Sequence, residues 1–163
     1  MKKMLLFLLP LFACITSNAQ HSEVVRKTAE AMLRLNAQKE YAGYVSYFYP
    51  TEIKERGGKE NFINQIIINE KYNAALPPLK TEERLGKVSK IYKAGKELHC
   101  TIEWIIKYHF KHKTALSMSH FLAISGDQGK TWKFIMTSGK TPGQVWSMVP
   151  KYNKELVYVD YYE

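Results

Sequence analysis

Three runs of period-two alternation between residues 98 and 136 constrain this chain more than any other feature. Leu98 to Tyr108 sets Leu98, Cys100, Ile102, Trp104, Ile106 and Tyr108 on one face, opposite His99, Thr101, Glu103 and Lys107. Thr114 to Ser125 sets Leu116, Met118, His120, Leu122 and Ile124 opposite Ala115, Ser117, Ser119 and Ala123. Thr131 to Met136 sets Trp132, Phe134 and Met136 opposite Thr131 and Lys133. Successive side chains of a strand point to opposite faces, so each run reads as a half-buried strand. Joined by short turns, the three make an antiparallel meander.

The turns suggest its register. A hairpin centred on Lys111 pairs Trp104 with Met118 and Ile102 with His120. A turn over Gly126-Asp127-Gln128-Gly129-Lys130 pairs Ile124 with Trp132 and His120 with Met136. Both hairpins then place the large residues on one face, and a slip of one residue in either would break that agreement. Phe121 and Ile135 fall on the opposite face, which permits a homodimer through the outer sheet. His120 is expected mid-sheet among Ile102, Trp104 and Met136. It is there either as a core histidine with a hydrogen-bonded ring nitrogen or as a pocket residue acting as base, acid or donor.

Upstream the period changes to that of helices. Ser22 can cap a helix to about Gln38 whose inner face carries Val25, Ala29, Met32 and Leu33. Tyr41, Tyr44, Val45 and Phe48 form a second stripe, with Tyr47 off it, and Pro50 ends that helix. Thr51 to Arg56 gives another turn or two before Gly57-Gly58. Lys59 to about Asn73 is a further helix with Phe62, Ile63, Ile66, Ile67 and Tyr72 inward. Pro77-Pro78 marks the switch to strands, and Leu85 to Lys93 is the first of them. After the meander, Thr141-Pro142-Gly143-Gln144 has capping-box spacing with proline at the first helical position. Leu156 to Tyr162 reads as a final edge strand or ordered tail.

Residues 1–19 have the form of a signal peptide: Lys2 and Lys3, an apolar run from Met4 to Ile15, then Ser17-Asn18-Ala19. Cleavage after Ala19 would leave residues 20–163 as one α+β domain in the periplasm or outside the cell. Leu11-Phe12-Ala13-Cys14 offers a rival reading, a lipoprotein tethered to a membrane through Cys14. Without the leader Cys100 stands alone, so neither a disulfide nor a cysteine zinc site is available. Losing Lys2 and Lys3 takes the net charge from +9 to +7. The lysines are scattered and no nucleic-acid motif is present, so no nucleic-acid partner is expected. There is no serine elbow, P-loop or dinucleotide fingerprint, and no cofactor is implied. His109 and His112 have H-x-x-H spacing, but lysines flank them and a third ligand is missing, so no metal site is expected.

Three helical segments followed by about four strands in a curved antiparallel sheet resemble the nuclear-transport-factor-like superfamily, a cone-like α+β fold also described as cystatin-like. Locally, Tyr47-Phe48-Tyr49-Pro50, Gly57-Gly58-Lys59-Glu60 and Ser125 to Trp132 resemble a family of small exported bacterial proteins of that fold, a likeness that carries no activity with it. The superfamily likeness implies helices and sheet enclosing a cavity, used for isomerase or dehydratase chemistry, ligand binding or protein contacts; fold alone does not choose. Acidic residues line the cone in its enzyme branches. Here Asp127 sits in a turn and Asp160 near the end. Separately, Ser125 to Trp132 is similar to the Asp-box of sialidase propellers, where it is a structural turn. A single copy implies a hairpin fastener.

Two functional readings follow. In the first the protein is an exported, non-catalytic binding domain for a small apolar or amphipathic ligand, or for an envelope protein. Tyr44, Tyr47, Trp104, Met118, His120, Trp132 and Met136 would form its binding wall. In the second it is a small lyase, isomerase or hydrolase with His120 as general base and Tyr44 or Tyr47 as hydrogen-bond donor.

Overall fold

The computed structural model describes residues 9–74 and 78–162, with side chains from residue 19 onward except that of Asn73. The charged start of the expected leader, the side chain of Cys14, and Pro77 lie outside the described residues. Helix α1 runs Leu9–Ala37. From its first turn, where Pro10 is tolerated, to Ala37 it meets no glycine or further proline. Ser22, expected as a cap, therefore lies inside a continuous helix. Its inner residues Val25, Ala29 and Met32 are fully buried.

Helix α2 (Tyr41–Val45) leads Tyr44, Val45 and then Phe48 into the same core. Pro50 separates this helix from the next, but as the first residue of α3 (Pro50–Glu55), where its missing N–H costs nothing. Gly57 and Gly58, with φ of 78° and 97°, break the chain before α4 (Lys59–Ala74). Phe62 is buried, and Ile63 and Ile66 pack beside it. Tyr72, expected inward, is exposed. At about 100° per residue it falls about 80° beyond the edge of that stripe.

Six antiparallel strands complete an α+β fold: β1 (Lys80–Val88), β2 (Tyr92–Ala94), β3 (Glu97–His109), β4 (Thr114–Ser125), β5 (Lys133–Met136) and β6 (Tyr161–Tyr162). The sheet is open, in the order β1-β3-β4-β5, with β2 beside β3 and β6 beside β4. The strand expected over Leu85 to Lys93 is thus two strands, and the first begins earlier. Thr81-Glu82-Glu83-Arg84 shows no apolar alternation because it forms a charged outer strand, where charge is favoured. Its pairing with β3 shifts register between Leu85 and Val88. There Gly86 lies against the Glu103 side chain and its carbonyl accepts from Arg26 of α1 at 2.6 Å.

Both hairpin registers differ by one residue from the expected ones. Trp104 pairs with Ser119 and Ile102 with Phe121, while Glu103 pairs with His120. Ile124 pairs with Lys133 and Phe121 with Met136. The β3–β4 loop is an even four residues, closed by Phe110 N–H donating to the Lys113 carbonyl at 2.8 Å, rather than an odd loop centred on Lys111. Because both registers move together, the mutual agreement expected of them survives, but β4 is turned over. Phe121 and Ala123 face the helices with Cys100, Ile102 and Phe134. Leu122 and Ile124 share the other face with Ile135.

That other face is not open. Helix α5 (Pro142–Met148) and the chain after it lay Val145, Met148, Val149 and Leu156 across it as a second core. Phe121 and Ile135, expected outward and available for a dimer, are each fully buried, one in each core. The capping box of α5 forms as expected, with Thr141 N–H donating to Gln144 Oε1 at 2.8 Å and Gln144 N–H to Thr141 Oγ1 at 3.3 Å. Among the described residues no helix is long and apolar enough to cross a membrane.

Candidate functional site

The seven residues expected to form one binding wall are divided by the sheet. Tyr44 and Trp132 are buried in the main core, and Met136 and Trp104 pack against it. Trp104 stacks on Phe121 with ring centroids 5.0 Å apart and donates its indole N–H to Glu83. Tyr44 meets Phe48 edge to face at 5.0 Å. These four are brought together, but as packed core. Tyr47 stands at the edge, where it and Trp132 border a cleft of about 290 Å³. Met118 pairs with Ile105 on the second face, as does His120 with Glu103, so neither joins the others.

His120 is 7% exposed. Its neighbours are not Ile102, Trp104 and Met136, because the register turns it away from them. Instead its Nδ1 lies 3.0 Å from Asp160 Oδ1. Thr137 completes the arrangement: its hydroxyl is 3.0 Å from Asp160 Oδ1 and 2.8 Å from the His120 carbonyl, and it accepts the His120 N–H at 3.0 Å. The ring of Tyr158 lies against His120, 5.7 Å between centroids, and burial pushes the Tyr158 pKa up. Its hydroxyl is buried with no hydrogen-bond partner among the described residues. No local pattern in the sequence links Asp160 to His120, since 40 residues separate them.

A second histidine on this face is fully buried. His99 Nε2 lies 3.2 Å from Glu97 Oε2, and Tyr49 donates its hydroxyl to Glu97 Oε1 at 3.0 Å. Burial lowers the His99 pKa against the opposing pull of Glu97. Its position opposite Ile124 explains why a residue expected on a polar face is enclosed.

A concavity of about 900 Å³ lies at the end of the sheet where Leu98 pairs with Ser125. That pairing sets the β2–β3 turn beside the turn after β4. His21, Lys93, Lys96, Glu97, Asp127 and Lys130 line the cleft. The second turn is the Asp-box fastener. Asp127 accepts from the Ser125 hydroxyl at 2.8 Å and from the Thr131 N–H and hydroxyl at 2.9 and 2.7 Å. These bonds hold the Asp127 carboxyl at about 2, below its ordinary 3.8. Trp132 donates its indole N–H to the Gly129 carbonyl at 3.1 Å.

The cleft wall is closely fitted. Gly129 has φ of 86°, and a Cβ there would stand 2.3 Å from His21 Nδ1, so α1 is seated directly on the turn. Glu97 is engaged by Tyr49 and His99, and Asp127 by its own turn. Among the described residues no carboxylate pairs with Lys93, Lys96 or Lys130. Three lysines against the two carboxylates leave the cleft a positive excess, with no direct ion pair among the described residues to tie the ammonium groups down. In the sequence these lysines are only scattered charge, because the two turns that gather them are about 30 residues apart and meet through strand pairing alone.

A smaller cleft of about 260 Å³ adjoins, bounded by Tyr49, Lys96, Glu97, Pro150 and Lys151. A groove of about 590 Å³ crosses the uncovered end of the second face between Glu82, Arg84, Lys107 and Leu116. Among the described residues no three histidine, cysteine or acidic side chains gather to hold a metal. Comparisons with protein-family models, with curated proteins and with solved structures find no match.

Proposed function

We propose that this protein is an exported, non-catalytic binding domain that takes a small anionic ligand in the cleft between the β2–β3 turn and the Asp-box turn. The observation that carries the reading is the set of three lysines, Lys93, Lys96 and Lys130, around about 900 Å³ of space, none in an ion pair among the described residues and together outnumbering the cleft's two carboxylates, Glu97 and Asp127. Pockets of this size commonly hold small molecules. Unpaired ammonium groups in a concave wall attract anions and raise their local concentration. The apolar wall first expected to bind a ligand is filled by its own side chains, with Trp104 on Phe121 and Tyr44 on Phe48. The space left for a ligand is accordingly at the charged rim rather than in the interior. Export to the periplasm or beyond rests on the leader pattern of residues 1–19. Helices packed on an antiparallel sheet in this order support kinship with the nuclear-transport-factor-like superfamily.

The test is a titration followed by amide chemical shifts, with inorganic phosphate and glucuronate as probes. Saturable shifts centred on residues 93–98 and 126–130, weakened by salt and by Lys130→Ala, are expected. Shifts absent from both turns would remove the reading.

One observation favours an enzyme instead. Asp160 on Nδ1 fixes the His120 ring and leaves Nε2 as the basic nitrogen, the arrangement of a general base. Tyr158, rather than Tyr44 or Tyr47, is the tyrosine beside it. Any turnover found for the wild type that persists in His120→Ala excludes this reading.

A further inference from the structure

The main cleft does not end at its own rim. Lys96 and Glu97 line both it and the smaller cleft beyond. The two are joined across the β2–β3 turn by Lys151. Gly95 has φ of 65°, and a Cβ there would lie 2.7 Å from Lys151 Cδ, so the lysine stem lies flat along the turn backbone. Only glycine permits that approach. The result is a continuous track. Lys93 and Lys130 stand in the large cleft, Lys96 on the ridge and Lys151 in the small cleft. None of the four has a carboxylate partner among the described residues.

The track is not purely basic. Glu97 sits at the ridge, open to both clefts. A carboxylate has about four acceptor positions. Tyr49 and His99 use two of those of Glu97, which leaves acceptors for hydroxyl donors from a ligand. The exposed Gln128 adds an amide that both donates and accepts in the large cleft. A pure polyanion would be repelled at Glu97 and would offer it no proton. A ligand with negative groups spaced along a chain and hydroxyls between them satisfies both kinds of wall. Nucleic acid fits less well, because Glu97 at the ridge repels a continuous phosphate backbone and, among the described residues, the track carries no arginine.

We infer that the joined clefts bind an acidic oligosaccharide, a sugar chain carrying carboxylate or sulfate groups, laid across the ridge of residues 95–97. This rests on the large cleft being a ligand site at all, and the experiment separates the two statements. The protein is titrated calorimetrically with four probes. They are monomeric glucuronate, an oligogalacturonate of about six sugars, a sulfated oligosaccharide of the same length, and a single-stranded oligonucleotide of equal charge. The six-sugar chain should bind about tenfold or more tightly than the monomer, since tethered groups engage the second cleft as one ligand. Lys151→Gln, which removes the charge and keeps most of the stem, should weaken the chain about threefold to fivefold and leave the monomer unchanged. Lys130→Ala should weaken both.

Binding by the sulfated chain alone, with the same Lys151 dependence, supports the inference and names the anion as sulfate. Equal affinity for monomer and chain, with Lys151→Gln silent and Lys130→Ala damaging, overturns the inference and leaves the single-cleft reading standing. An oligonucleotide bound as tightly as either sugar chain overturns the sugar class. No binding of any probe overturns both statements.

Discussion

Ile135→Ala tests the central structural result, that the sheet around β5 and the second half of β4 is buried on both faces. Ile135 is 0% exposed and is paired with Leu122 beneath Val145, Met148, Val149 and Leu156. The substitution deletes three carbons, worth about 2.4 kcal/mol at about 0.8 kcal/mol each. The void adds to this, within a usual range of about 2–5 kcal/mol for such truncations. We expect a loss of about 3–4 kcal/mol. Had Ile135 faced outward, as the simple alternation implies, the cost would be within about 0.5 kcal/mol. Urea unfolding followed by fluorescence of Trp104, Trp132 and Trp146 reads the difference directly. With a denaturant slope of about 2 kcal/mol per molar, the midpoint should fall by about 1.5–2 M at unchanged slope. Val157→Ala, at a position 78% exposed, should leave it in place. A midpoint shift for Ile135→Ala below about 0.3 M would mean that the C-terminal segment does not cover the sheet as described.

Three further outcomes follow from individual contacts. Asp160→Asn removes the carboxylate that holds His120 and Thr137, at a cost of about 1.5–3 kcal/mol; amide exchange should rise first in residues 156–162, and uniform exchange across the chain would contradict the role as a clasp. The Asp127 carboxyl, depressed in the folded state, contributes stability that is present above its ordinary value of 3.8 and is lost as pH falls towards about 2. The stability of the wild type should accordingly fall more steeply than that of Asp127→Asn across that window, and parallel curves would refute the assignment. Cys100 is fully buried with its thiol pushed up to about 12, so in a Cys14→Ser background an aromatic disulfide reagent should react only after unfolding.

Much of the architecture was legible because its signals are local. Thr114 to Ser125 is bounded as its alternation predicts, and β3 extends its run by only one residue at each end. The Thr141 capping box, the Gly57-Gly58 break and the Asp-box turn each form where their residue types demand particular backbone angles or acceptors. The α+β class follows from the change of period near Pro77-Pro78. β1 was misplaced because an exposed charged edge strand leaves no hydrophobic trace.

Register, and with it the candidate site, needed the tertiary structure. Alternation identifies the inner face of a strand only when the other face is polar. Between Ser119 and Ser125 both faces of β4 are buried, so a slip of one residue exchanges one apolar set for another without a penalty visible in the sequence. The covering segment around Val145 to Leu156 and the even length of the β3–β4 loop decided the matter. They moved His120 from the expected pocket wall to a bond with Asp160. The cleft lysines were each readable as ordinary surface charge; only the pairing of Leu98 with Ser125, which draws two distant turns to one end of the sheet, makes them a site.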